Sequence, residues 1–249
     1  MLEGLKKIDW AKMEIASGSA ASVPNMIRDL VNDDPDVAQE ALIALSTNIC
    51  ELGIVFDSSI AAIPFLIEIL NSDSAHDPAG ILDLLAALAE SKDITEVTLP
   101  PTHEYQFMPE AGEDYAKDEE EMAWSHQCYD AVAKGMTTYR GLLMYDEPTV
   151  RTSAAAILEL FPAAARENAV ALQQAIEVED DIPAMTDLML SLRDILTNAE
   201  LNADEKATYV SFFRDIFNDE EDVVLRLAAA IAIARLDSAA ATAPVRDLI

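Results

Sequence analysis

The sequence predicts an all-α protein assembled from stacked helical hairpins, on three observations. Only seven of 249 residues are glycine and 51% of the side chains are apolar, with Ala, Leu, Ile, Asp and Glu dominant, which is the composition of a helical chain with a large core. Apolar residues recur at three- and four-residue steps, the mark of helices buried on one side. Acidic turns carrying or adjoining a proline recur at Pro35, Pro78, Pro148, Pro183 and near Glu221, in steps of 43, 70, 35 and 38. An insertion of about 28 residues accounts for the one long step, and a period near 40 is that of helical-hairpin arrays.

Taken in order, residues 1–21 read as a cap, with Leu2, Leu5, Ile8 and Trp10 as a helical stripe ended by Ser17-Gly18-Ser19. The first repeat pairs a helix over 23–31, entered at Pro24, with a helix over 37–52 whose stripe is Val37, Ala41, Leu45, Ile49 and Leu52. Neither helix can bury its apolar stripe alone, so the pair must stack on others like it. The second repeat, over 59–70 and 81–89, completes the segment 22–91.

Rhythm breaks over 92–118, where Pro100, Pro101, Pro109 and Gly112 prevent a continuous helix and predict a surface insertion. Residues 119–249 then carry three further pairs: 119–143 with 149–161, 163–178 with 182–196, and 204–217 with 223–236. The segment 243–249 reads as the start of a sixth first helix, so the chain is expected to continue into a longer array or to use this helix as a cap. All of 1–249 is read as one repeat domain.

Sixteen basic against 46 acidic residues leave a net charge of −30. Such a surface repels phosphates, which argues against nucleic acid and anionic membranes as partners. It keeps the chain soluble, and it can also meet a basic protein through complementary potential. The longest apolar run, 227–234, is too short to span a bilayer, and Cys50 and Cys128 suit a reducing cytoplasm better than a disulfide framework.

No catalytic constellation rises above background. His126 and Cys128, two apart on a helix, face different sides and cannot share an ion. His103-Glu104 with Glu110, Glu113 and Asp114 reads as an acidic loop before it reads as a metal site. None of the three histidines adjoins a nucleophile motif, no glycine-rich phosphate loop exists, and neither cofactor nor metal is expected. Asp33-Asp34, Asp180-Asp181 and Glu220-Glu221-Asp222 precede second helices, where carboxylates cap free amides.

The prolines within first helices (Pro24, Pro64, Pro244), the acidic turns, and Val150-Arg151 followed by Ala154-Ala155-Ala156, echoed by Leu225-Arg226 and Ala228-Ala229-Ala230, resemble the HEAT-repeat (armadillo-like) family. The first repeat departs from that pattern with Val37-Ala38, and the later first helices lack the internal proline. The resemblance implies a right-handed α-solenoid of about five hairpins with second helices lining a concave side, and a non-enzymatic scaffold for protein partners. Exposed candidates on the second helices are Glu40, Asp83, Glu159, Asp187 and Asp194, set against Arg151 and Arg226, a balance that disfavours the DNA-repair members of the family. Tyr105, Phe107 and Tyr115 in the insertion are candidate binding anchors. An acidic inhibitor or immunity-type protein that neutralises a basic partner such as a nuclease is the alternative; an enzyme ranks third.

Overall fold

The computed structural model describes residues 1–72, 74–98 and 114–249. It is mostly helical, and its strands form three isolated antiparallel pairs. The chain divides into two compact units, 1–138 and 139–249. No described helix is long and apolar enough to cross a membrane.

The opening of the first unit differs from the helical cap that the spacing predicts. Leu2, Leu5 and Trp10 are buried as expected, but within short 3-10 turns over Glu3–Lys7 and Trp10–Lys12, where the indole Nε1 donates to the Leu5 carbonyl at 2.9 Å. A two-residue hairpin, β1 (Glu14–Ile15) with β2 (Gly18–Ser19), follows. One stripe of apolar residues fits a 3-10 turn as well as an α-helix over so few residues, and Gly18 at φ 124° supplies the reversal.

From α1 (Val23–Asp29) onward the hairpins appear. α2 (Pro35–Ile49) starts at its proline, with Asp34 accepting from the Asp36 N–H. It buries Ala41, Leu45 and Ile49 but ends one turn before the predicted Leu52. There the backbone reverses through Leu52 (φ 53°) and Gly53 (φ 80°), joining β3 (Cys50–Glu51) to β4 (Ile54–Val55). Gly53 is required twice, because a Cβ there would also lie 2.2 Å from the Ile94 Cδ1.

α3 (Asp57–Leu70) runs through Pro64 and packs on α1 and on α4 (Pro78–Glu90). Buried hydroxyls tie the helix ends: Ser59 Oγ accepts from the Phe56 N–H and donates to the Ile49 carbonyl, and Ser91 Oγ donates to the Leu88 carbonyl. α5 (Glu119–Val132) closes the unit against α3 and α4. The insertion leaves and returns on a paired ladder, β5 (Glu96–Thr98) with β6 (Asp114–Ala116). The long helix predicted over 119–143 is broken by a 3-10 turn at Ala133–Gly135 before α6 (Met136–Leu142), within which the two units divide.

In the second unit, α7 (Pro148–Glu159), α8 (Ala165–Ile176), α9 (Ile182–Asn198), α10 (Ala203–Asp219), α11 (Val223–Leu236) and α12 (Ala243–Leu248) follow the predicted pairs closely. α8 packs on α9 and α10 on α11 as hairpins, while α9 lies between α7 and α11. Buried alanines at 154, 155, 228, 229 and 230 let those second helices approach.

Two arginine clamps join successive hairpins. Arg151, near the start of α7, reaches the turn before α9, where Nε donates to Glu179 Oε2 at 2.6 Å and Nη2 to Oε1 at 2.5 Å. Arg166, near the start of α8, pairs with Glu205 at the start of α10 at 2.9 Å. The openings of α7 and α9, and those of α8 and α10, are thereby held side by side.

Candidate functional site

Of the residues singled out from the sequence, Glu40 on α2, Asp83 on α4 and Asp187 on α9 are exposed. Glu159 is half-buried near the end of α7, and Asp194 is held by its neighbour Arg193, whose Nε donates to Oδ1 at 2.9 Å. Asp187 and Asp194, seven apart, share one face of α9. Tyr105 and Phe107 lie outside the described residues, as do His103, Glu104, Glu110 and Glu113; Tyr115 falls in β6, paired with Val97.

The two cations weighed against these carboxylates are not on an open face. Arg151 has only 12% of its side chain exposed: besides Glu179 it donates from Nη1 to the Tyr145 and Asp146 carbonyls, both at 2.8 Å. Arg226 stacks over the Phe217 ring, 5.1 Å from its centroid.

A cavity of about 200 Å³ beside the clamp is lined by Tyr145, Asp146, Val178 and Asp180. The Arg151–Glu179 pair beside it is internally satisfied. The Glu179 side chain is 1% exposed and also accepts from the Asp180 and Asp181 N–H groups at 3.2 and 3.0 Å. Burial pushes its pKa up, but the hydrogen bonds and charge of Arg151, with those two amides, outweigh burial and hold it below the usual glutamate value. A carboxylate so occupied, with three donors on Oε1 and one on Oε2 and its side chain 1% exposed, holds a turn together.

A different kind of site lies between α2 and α4. Leu42, Ile43 and Ser46 on α2, with Cys50 just past its end, face Gly80, Asp83, Leu84 and Ala87 on α4 across a cavity of about 350 Å³. Gly80 lets the helices approach, since a Cβ there would meet the Leu42 Cδ2 at 2.6 Å. Leu42 beside Gly80 at one end, and Cys50 within the field of Glu90 at the other, show that the helices run parallel. The floor is apolar and Ile43 stands 57% exposed on one wall.

Asp83 is the one predicted residue that lines this groove; Gln39, Ile43 and Ser46 were not singled out. Periodicity identifies the core-facing stripe and says nothing of which outward face another helix will flank. A usable signal did exist: between Arg28 and Lys92 the sequence has twelve Asp and Glu residues and no Lys or Arg.

Nucleophilic chemistry finds little support at Cys50 or Cys128. Both thiols are free, and burial, their largest perturbation, pushes the first up to about 11 and the second to about 12. A thiol that stays protonated at neutral pH is a poor nucleophile. Lys117 sits between them, donating to the Ser91 carbonyl at 2.7 Å and to Ser125 Oγ at 3.0 Å, and burial lowers its pKa. His126 is exposed while Cys128 is fully buried, on opposite sides of α5. Among the described residues no three His, Cys, Asp or Glu side chains converge on a metal position.

No protein-family model matches the chain, and no curated protein matches it. Among solved structures, a crystal structure of a protein described as engineered is similar over 90% of this chain and 88% of its own, with TM-score 0.50 and 19% identity. A likeness at that identity speaks for the fold alone.

Proposed function

We propose that the chain is a HEAT-like α-solenoid acting as a non-enzymatic scaffold that binds a protein partner through carboxylate-lined helix faces. The observation that carries this reading is the open groove between α2 and α4, apolar at its floor and acidic at its edge, on two helices that carry no Lys or Arg. Aspartates that cap second helices after a turn (Asp34, Asp77, Asp181, Asp222) and the arginine clamps between successive hairpins support the repeat architecture. The free thiols, Cys128 buried and Cys50 half-buried, fit a reducing, cytoplasmic setting.

A full-length chain used as bait in host lysate is expected to retain one protein in stoichiometric amount, in a complex that then titrates to saturation with purified components. Retention of no protein at either low or high salt would overturn the scaffold reading. The cation-free stretch between Arg28 and Lys92 favours a second reading, an acidic inhibitor of a basic enzyme. That reading expects the retained partner to be basic, its activity to be lost in the complex, and the complex to weaken steeply with salt.

A further inference from the structure

We propose that the groove between α2 and α4 is a docking site for a cationic amphipathic helix, its apolar face seated on Leu42, Leu84 and Ala87 against Ile43, its Lys and Arg side chains flanked by Asp83 and Glu90. This rests on the scaffold reading and adds the site and the chemistry of the partner.

Length comes first. The lining residues run from Gln39 on α2 to Cys50 just past its end, about 16 Å at the α-helical rise, or roughly three turns of a docked helix. A straight furrow between two parallel helices receives one row of apolar side chains spaced three and four apart.

Backbone chemistry then selects a helix over an extended peptide. An extended segment brings unpaired N–H and C=O groups that need polar partners. Gln39, Ser46 and Asp83 are the polar side chains of this groove apart from Asp77, whose Oδ1 already accepts from the Gly80 N–H. A helix arrives with its backbone satisfied.

Charge completes the case. α2 contributes Asp36 and Glu40, α4 contributes Asp83 and Glu90, and all four are exposed. The cations nearest in sequence are engaged elsewhere, Arg28 with Asn25 at 2.8 Å and Lys92 over the Tyr129 ring at 4.1 Å, and Lys117, which lies near Cys50 at one end of the groove, is held by the Ser91 carbonyl and Ser125 Oγ. A second copy of this chain, itself at −30, is repelled.

The test is fluorescence anisotropy with the full chain and a labelled Leu/Lys peptide of roughly 14 residues, its leucines at helical spacing. Two control peptides carry a central proline or glutamates in place of the lysines. Ile43→Asp is expected to weaken binding about tenfold, the loss of one apolar anchor, although it adds a negative charge. Asp83→Lys is expected to weaken binding similarly, and Asp187→Lys, the same charge change in the other unit, by less than about twofold. Neither control peptide should bind.

The proposal is overturned if Ile43→Asp leaves binding unchanged or tightens it, if the two charge reversals act equally, or if the proline peptide binds as well as its parent. Self-association of the free chain that disappears in Ile43→Asp would reassign the groove to a second copy, and equally overturn it. Melting curves of the variants separate folding from binding, and at 57% exposure Ile43 is not needed for the core. A native partner that still saturates Ile43→Asp would sink the groove while leaving the scaffold reading intact.

Discussion

The two units are held together by different means. α2, α3 and α4 carry no Lys or Arg, so their cohesion comes from apolar burial and from hydroxyls such as Ser59 and Ser91 returned to nearby carbonyls. In the second unit arginines tie distant segments: Arg151 and Arg140 are drawn inward, to Glu179 and to Asn168 at 2.8 Å, and Arg166 pairs with Glu205 at the surface. Both units are strongly acidic, but among the described residues the ion pairs of the first, Lys12 with Asp9 and Lys92 with Asp93, join near neighbours at its surface, whereas in the second Arg151 reaches a buried carboxylate 28 residues away. The first leaves its negative field facing outward from α2 and α4, which is why the docking surface is assigned there.

The largest consequence is in the second unit. Removing the cation in Arg151→Met leaves a Glu179 side chain with 1% exposure and no counter-charge, which is expected to cost about 3 kcal/mol in urea unfolding. Adding Glu179→Gln should recover much of that loss. Recovery of nothing would mean that the arginine acts through packing and its bonds to the Tyr145 and Asp146 carbonyls.

pH sharpens the contrast at the acid end, where the pair-held carboxylate Glu179 belongs to the second unit; at the alkaline end both units carry groups whose pKa burial raises, Cys128 in the first and Tyr139 and Tyr209 in the second. Glu179 has its pKa lowered in the folded state, so its contribution is present above about pH 4.5 and is lost as pH falls through the folded value. Cys128 has its pKa raised from 9.0 to about 12, so the folded state binds a proton more tightly than the unfolded one; stability is full below pH 9 and declines as pH rises from 9 toward 12. Both tryptophans, Trp10 and Trp124, lie in the first unit and report it selectively. Alkaline unfolding followed by their fluorescence should shift to higher pH in Cys128→Ala, and acid unfolding followed by helical circular dichroism should lose part of its slope in Glu179→Gln.

Arg166→Ala defines the lower limit. Its ion pair with Glu205 is solvent-exposed, and exposed pairs contribute little after screening and side-chain entropy. The melting temperature should stay within the scatter of neutral surface substitutions. A shift as large as that of Arg151→Met would dissolve the distinction between the buried clamp and the exposed one.

Much of the fold was legible in the sequence. α11 falls over the predicted 223–236 and α9 starts at the predicted Ile182, because an acidic turn, a capping aspartate and an apolar period coincide there. Legibility failed where short range could not decide. Leu2, Leu5 and Trp10 satisfy a helical spacing but belong to 3-10 turns, and Leu52 continues the α2 stripe in sequence but sits beyond a backbone reversal, 43% exposed. Arg151 and Arg226 looked outward because the partners that fold them in, Glu179 and Phe217, are respectively 28 residues downstream and part of another helix. The groove was half-visible: Asp83 was found as a lone carboxylate, whereas Ile43 has meaning only once α4 lies beside α2.

Hydrogen exchange of the full chain with and without the cationic amphipathic peptide tests the docking surface most directly. Added protection is expected over Pro35–Ile49 and Pro78–Glu90, with the 139–249 unit unchanged. Protection spread evenly over both units, or confined to the second, would contradict it.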